Sequence, residues 1–318
     1  CGQNIKYDCL VLSRYDIHLN NIVFDTMVAE YLLHPEKNSY KLDYLSLDYL
    51  HYRMVPIENL IGSGLHQKSM AEVPLADISY YAVEDADITY QLSAILKDKL
   101  NQEKLSDPYN KIELPLIPVL ADIEKNGIFL DMDYLTHLSK EFGLSLNALT
   151  DKIYTIAGRE FNINSPKQLA EILFDELELK PIRKRSTAVE VLEVLKSHHT
   201  LPEVVLEYRH LAKLKSTYVD AFPTYVNQHT GRVHTSLNQT ITATGRLSSS
   251  SPNFQNIPIR TATGRQLRKA FIPQEKDWVI LSADYSQIEL RIMAHYSKEP
   301  ELIQAFEDDA DIHSRTAA

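Results

Sequence analysis

The chain has 318 residues, 44% of them hydrophobic, with two cysteines and a formal net charge of −10. That length accommodates two domains with real cores, and no apolar run approaches the roughly 20 residues of a membrane-spanning helix. Two cysteines without a metal-ligand spacing suit a reducing cytosol.

The negative total argues against a nucleic-acid partner until its distribution is considered. Residues 181–275 carry 13 Lys and Arg against 6 Asp and Glu, between acidic flanks. A basic segment beside carboxylate-rich ones suits a phosphate-binding surface next to metal-binding acids; a local surplus of solvated Lys and Arg has the same signature.

From the start of the chain, Asn4 and Asp8 stand four apart and share a face if residues 2–8 open a helix. A helix is predicted over residues 24–33, stopped by Pro35. A longer one runs from about Asp77 to about Leu100, with Tyr81 and Asp85 on one face. Taken singly, these acids read as solvated helix positions. His18, His34, His51 and His66 have no ligand spacing. Asp107-Pro108 reads as a helix break and marks a predicted boundary between domains over 1–107 and 108–318.

In the second domain Asn126-Gly127 is a turn signal, and a long helix is expected over 133–157. Ser165-Pro166 starts another helix, and the Thr187 to Glu190 pattern reads as a capping box. A helix from Glu203 to about Val226 puts Arg209 and Lys213 on one stripe, which suits a phosphate backbone or plain solvent. Residues 232–237 alternate like a strand. Residues 242–249, rich in small hydroxyls, and the amides Asn253, Gln255 and Asn256 read as polar loop. Arg260, Arg265, Arg268 and Lys269 extend the basic surface.

Trp278-Val279-Ile280-Leu281 has the composition of a buried strand. Two small residues and Asp284 follow, and then a helical pattern from Ser286. A carboxylate at that junction is a hard oxygen ligand well placed for Mg²⁺. It is equally the residue type that caps a helix.

The strings around these positions are more specific than their periodicity. SADYSQIELRIMAH resembles motif A of the family A DNA polymerases. TATGRLSS and PNFQNIP resemble two further signatures of that family, with Phe254 where Leu is usual. GQNIKYD and YAVEDAD resemble the second and third motifs of its proofreading 3′→5′ exonuclease domain. The resemblance spans essentially the whole chain, in the family's order.

It implies an α/β ribonuclease-H-like exonuclease domain, in part, followed by an α+β right-hand polymerase domain, with thumb helices and the first part of the palm. Asp284 is implied as a ligand of both catalytic Mg²⁺ ions, with the Tyr285 carbonyl beside it. Gln287, Glu289 and His313 are implied nucleotide contacts, Glu289 excluding a 2′-hydroxyl. Asp8 and Asp85 are implied metal ligands of the exonuclease, with Tyr81 orienting water and Asn4 near the bound strand. Arg209, Lys213, Arg246, Asn253, Gln255, Asn256 and Arg260 are implied DNA contacts. The basic stretch 183–185 looks shorter than the family's thumb-tip loop.

The implied cofactors are two Mg²⁺ ions per site, with Mn²⁺ as a substitute. Two ions roughly 3.5–4 Å apart clamp the attacking and leaving oxygens of a phosphoryl transfer. The implied partners are primer-template DNA and deoxynucleoside triphosphates, with no membrane, and the protein is expected to be a monomer in the bacterial cytoplasm, at the nucleoid. The first exonuclease motif and the second polymerase carboxylate are expected outside these 318 residues, as in a piece of a longer protein. Rival readings are a ribonuclease D-like exonuclease, against which residues 108–318 count, and a phage-type RNA polymerase, against which Glu289 counts. A third is a non-catalytic DNA-binding protein.

Overall fold

The computed structural model describes residues 1–64 and 67–308. The chain divides into two compact units, Cys1–Ile272 and a second beginning at Pro273.

The first unit holds two apolar cores. In the N-terminal one, helices α1 (Ile5–Ser13), α2 (Thr26–Leu33) and α3 (Leu42–Leu50) are followed by the short α4 (Glu58–Ile61) and the long α5 (Leu75–Gln102). Ile88, Leu92, Leu96 and Leu100 form the buried stripe of α5, at the fourfold spacing that keeps one face inward. They pack with Ile5, Val28 and Leu45.

The expected break at Asp107-Pro108 does not divide this core. Helix α6 (Ser106–Pro108) leads through a π-helical turn, Tyr109–Glu113, into α7 (Leu114–Asn126). Pro108 and Pro115 lie in first turns, where a missing N–H costs nothing. Tyr109 and Ile117 belong to the N-terminal core, and the next core begins at Leu130. Gly127 ends α7 at φ 62°, and a Cβ there would stand 2.7 Å from the His234 ring.

The second core is built on α8 (Met132–Ala157), capped by Asp131, whose carboxylate accepts from the Tyr134 N–H at 2.8 Å. Helix α9 (Pro166–Glu171) starts at Ser165 as the sequence predicts. Helix α10 (Val189–Leu195) starts at Ala188 with no side-chain cap, so the expected capping box does not form. Thr187 is buried instead, and its carbonyl accepts from Arg209 at 2.6 Å. The expected continuous helix over 203–226 is α11 (Thr200–Leu214), then a π-helical stretch, Lys215–Val219, and a 3₁₀ turn, Phe222–Tyr225. Helix α11 packs along α8 through Val204, Val205, Leu211 and Leu214.

The strand expected over 232–237 narrows to β1 (Ser236–Asn238), paired antiparallel with β2 (Ser248–Ser250) in the register Leu237↔Ser249. This is the single sheet among the described residues. The described residues of the N-terminal region form helices joined by loops, with one isolated parallel bridge between Gly2 and Asp25. Helix α12 (Ala262–Arg268) closes the unit, capped by Thr261. Phe254, where a Leu is usual, packs edge-on against Phe222 and Phe271.

In the second unit the strand expected at 278–281 is not formed. Val279 is 84% and Leu281 87% exposed, and no strand among the described residues pairs with them. An extended segment becomes a strand only through a neighbour's hydrogen bonds. Helix α13 (Ile288–Ser297) begins two residues later than expected, with Gln287 at its cap at φ 51°. Helix α14 (Pro300–Glu307) packs on it, with the Arg291 guanidinium 4.5 Å from the centre of the Phe306 ring.

Candidate active sites and nucleic-acid interface

Asp25 organises the first site. Its carboxylate is buried and accepts from the Ile5 N–H at 2.7 Å and the Val28 N–H at 3.0 Å. One side chain thus caps both α1 and α2, and so fixes where the first turn of α1 points. Asn4, at φ 54°, and Asp8 lie on that turn. Helix α5, packed on α2 and α3, supplies Tyr81 and Asp85.

The four residues line one cleft of about 970 Å³. Asp43 and Glu58 also line it, against Lys41. Burial pushes the Asp8 and Asp85 carboxyls above the ordinary 3.8, although the Tyr81 phenol holds Asp85 back. Burial, and then the Asp85 carboxylate, push the Tyr81 phenol up. Partly desolvated carboxylates without a cationic partner are chemically suited to a divalent cation, which takes oxygen ligands. Among the described residues no group of three metal-ligating side chains is gathered, so Asp8 and Asp85 are at most part of a ligand set.

A second cavity of the same unit gathers a second set. Lys213, Asn253 and Asn256 line a cavity of about 420 Å³ together with His210 and Thr217. Lys213 is exposed, whereas the Arg209 guanidinium is half-buried and donates to the Thr187 carbonyl at 2.6 Å. Burial also lowers its pKa. The basic stripe predicted from their spacing is therefore presented unequally.

The amides shape their own loop. Asn253 Oδ1 accepts from the Gln255 and Asn256 N–H groups at 2.9 and 3.2 Å. Gln255 accepts from the Ser249 N–H at 3.0 Å and donates to the Leu247 carbonyl at 2.9 Å. Arg246 is exposed in the loop joining β1 to β2. Arg260 is exposed, and its carbonyl accepts from Arg265 at 2.7 Å.

In the second unit Asp284 and Tyr285 are exposed and precede α13, with Glu289 in its first turn. Asp284 does not cap the helix, because the cap position is Gln287 and no side chain bonds there. His313 and His66 lie outside the described residues.

Two structural residues had no local signal. Glu124 pairs with Lys6 and accepts from the Leu237 N–H at 2.7 Å, so it ties α1 and α7 to β1. Tyr31 is buried, and its hydroxyl donates to the Thr242 carbonyl at 2.8 Å and accepts from the Gly245 N–H at 3.1 Å. Their partners are remote in sequence, so spacing arguments do not reach them.

A 3′–5′ exonuclease family model matches residues 1–101, and the DNA polymerase family A model matches residues 132–318. Among curated proteins, DNA polymerase I of Pseudomonas aeruginosa is 44% identical over 100% of this chain and 36% of its own length. The enzymes of Rhizobium leguminosarum and Synechocystis sp. are each 45% identical, and 32% of each is covered. The chain thus spans about a third of the length of the curated relatives it matches. A solved structure described as the POL domain of Pol1 from M. smegmatis in complex with DNA primer-template and dNTP aligns with a TM-score of 0.85 and 34% identity. That alignment covers 98% of this chain and 52% of the other. With a polymerase model matched over more than half its length, and a likeness in sequence and in structure that covers nearly all of it, the chain belongs to DNA polymerase family A.

Proposed function

We propose that this chain is part of a bacterial DNA polymerase I that extends a primer by template-directed phosphoryl transfer from deoxynucleoside triphosphates and edits with a 3′→5′ exonuclease. Residues 1–107 are the exonuclease part and residues 108–318 the thumb and beginning of the palm, with α7 packed back on the first part. The observation that carries the editing half is the convergence of Asn4, Asp8, Tyr81 and Asp85 on one acidic cleft. The assignment of the synthetic half rests on membership of the family and on the motif that contains Asp284.

Mg²⁺, or Mn²⁺ in its place, supplies charge neutralisation and an activated water when bound. Asp8 and Asp85 hold it in the cleft, and Asp284 with the Tyr285 carbonyl holds it at the polymerase site. Tyr81 orients the attacking water beside Asp85, and Asn4 contacts the bound strand. Lys213, Arg246 and Arg260, with Arg209 as a weaker contributor, attract phosphates. Asn253, Gln255 and Asn256 line the template path. Gln287, Glu289 and His313 receive the nucleotide, and Glu289 excludes a 2′-hydroxyl. The protein works as a monomer in the cytoplasm on nucleoid DNA; none of its described helices is long and apolar enough to cross a membrane.

The test uses the full-length natural protein. Asp284→Asn keeps the shape and removes the charge, so primer extension is expected to fall by at least about 10³-fold with duplex binding retained. Asp8→Ala is expected to abolish 3′→5′ degradation and leave extension intact. Near-normal extension by Asp284→Asn overturns the polymerase assignment; degradation that survives Asp8→Ala overturns the editing one.

A further inference from the structure

The turn that carries Arg246 is held by a residue more than 200 positions away in the chain. Ala243, Thr244, Gly245 and Arg246 are all exposed, and Gly245 sits at φ 76°. An exposed turn with a glycine has many conformations open to it, and fixing one of them costs entropy. The Thr242 carbonyl and the Gly245 N–H are the two groups that a β-turn brings to face each other. Both bond to one atom outside the turn: the Tyr31 hydroxyl donates to the carbonyl at 2.8 Å and accepts from the N–H at 3.1 Å. Thr242 Oγ1 passes the restraint on, donating to the Arg246 carbonyl at 2.6 Å.

Tyr31 is itself fixed. It is buried in α2 and meets the Tyr40 ring edge-on, with centroids 5.8 Å apart. The Tyr40 hydroxyl in turn donates to the His34 carbonyl at the end of the same helix, at 2.8 Å. A phenyl ring fills the same space in that core, so what the Tyr31 hydroxyl adds is its two bonds to the turn. Tyr31 lies in the part matched by the exonuclease model, and the turn lies in the part matched by the polymerase model.

We propose that Tyr31 is a positioning residue for the DNA contact at Arg246, so that a helix of the editing part presents a DNA-binding side chain of the synthetic part. A turn already held in one shape does not have to be ordered when DNA arrives, and affinity gains what ordering would have cost. Tyr31 touches no DNA; it acts through the backbone of residues 242–246. Gly245 is exposed, so water can replace the bond that Tyr31 gives its N–H, and loss of the hydroxyl costs the fold little. Its main effect falls on DNA binding.

This inference rests on the reading of Arg246 as a DNA contact, and the experiment separates the two. In the full-length natural protein, affinity for a primer-template duplex is measured by fluorescence anisotropy, each variant beside a thermal melt. The variants are Tyr31→Phe, Arg246→Ala, Lys213→Ala, and the two doubles that combine Tyr31→Phe with each of the others. Tyr31→Phe is expected to weaken binding about fivefold while the melt stays near that of wild type. The same factor is expected in the Lys213→Ala background, because Lys213 lines the other cavity, and no further loss in the Arg246→Ala background. If Arg246→Ala weakens binding while Tyr31→Phe binds as wild type does, the role of Tyr31 is overturned and the reading of Arg246 stands. If Arg246→Ala binds normally, that reading fails and this inference with it. A Tyr31→Phe loss that persists undiminished in the Arg246→Ala background, or that comes with a steep fall in the melt, marks a general structural role and also overturns the proposal.

Discussion

Asp25 and the cleft acids show how differently the same carboxyl group is used within a short span. Asp25 is 1% exposed and each of its oxygens accepts from the first turn of a different helix. Asp25→Ala removes both caps and leaves two buried N–H groups unmet, so the fold should lose about 2–4 kcal/mol. A shift of the urea midpoint with unchanged slope is the check. Asp8 and Asp85 are instead left open to the cleft, with pKa values raised by burial. Their carboxyls bind protons more tightly folded than unfolded. In metal-free protein that contribution to stability is present below 3.8 and is lost as pH rises through the raised values. A cation held there as proposed would compete for the same oxygens, so Mn²⁺ affinity should fall on acidification, beginning at a higher pH than for ordinary aspartates. Calorimetric titration across pH reads this directly, and Asp8→Asn should flatten the dependence.

Helix α7 lies beyond the boundary predicted at residue 107, yet it packs on α1 and clamps it to β1. Glu124 and Lys6 have side chains only 6% and 13% exposed, and the same carboxylate accepts from β1. Removing one member of a buried ion pair leaves the other uncompensated in a poor dielectric. Glu124→Ala should therefore cost about 3 kcal/mol, and a double-mutant cycle with Lys6→Met should recover part of it. Hydrogen exchange at the Leu237 amide should rise in Glu124→Ala, because that donor loses its acceptor. In α13, Glu289 occupies the first turn, where the resemblance to family A places it against the sugar of the nucleotide. Glu289→Ala in the full-length protein should raise ribonucleotide incorporation relative to deoxyribonucleotide, measured by competitive extension.

The charge of the molecule is negative, but the DNA partner proposed above would meet a local field. The basic segment 181–275 contributes the exposed Lys213, Arg246 and Arg260 to the first unit. Phosphate attraction through such groups releases counterions, so affinity for primer-template DNA should fall steeply with salt. Lys213→Ala should reduce the slope of log affinity against log salt by about 1 across all sequences. Arg209→Ala should instead destabilise the α10–α11 contact, because its guanidinium is engaged by Thr187. Filter binding at several ionic strengths, beside a thermal melt, separates the two.

The pairing of the acidic-cleft residues was legible in the sequence because each pair lies on one helix: a spacing of four fixes a common face, and both pairs line one cleft. The start of α9 was legible for a similar reason, since the Ser165 cap is a contact between neighbours in the chain. The apolar run at 278–281 shows the limit of that reasoning. Its composition is that of a strand, but a strand needs a partner to bond and a surface to cover it, and neither is among the described residues. Only the tertiary structure brought residues of α1 and α5 to one cleft. It also fixed Arg209 to a carbonyl and tied Glu124 to Lys6. Those are meetings of residues far apart in the chain, and local periodicity carries no information about which remote groups will find each other.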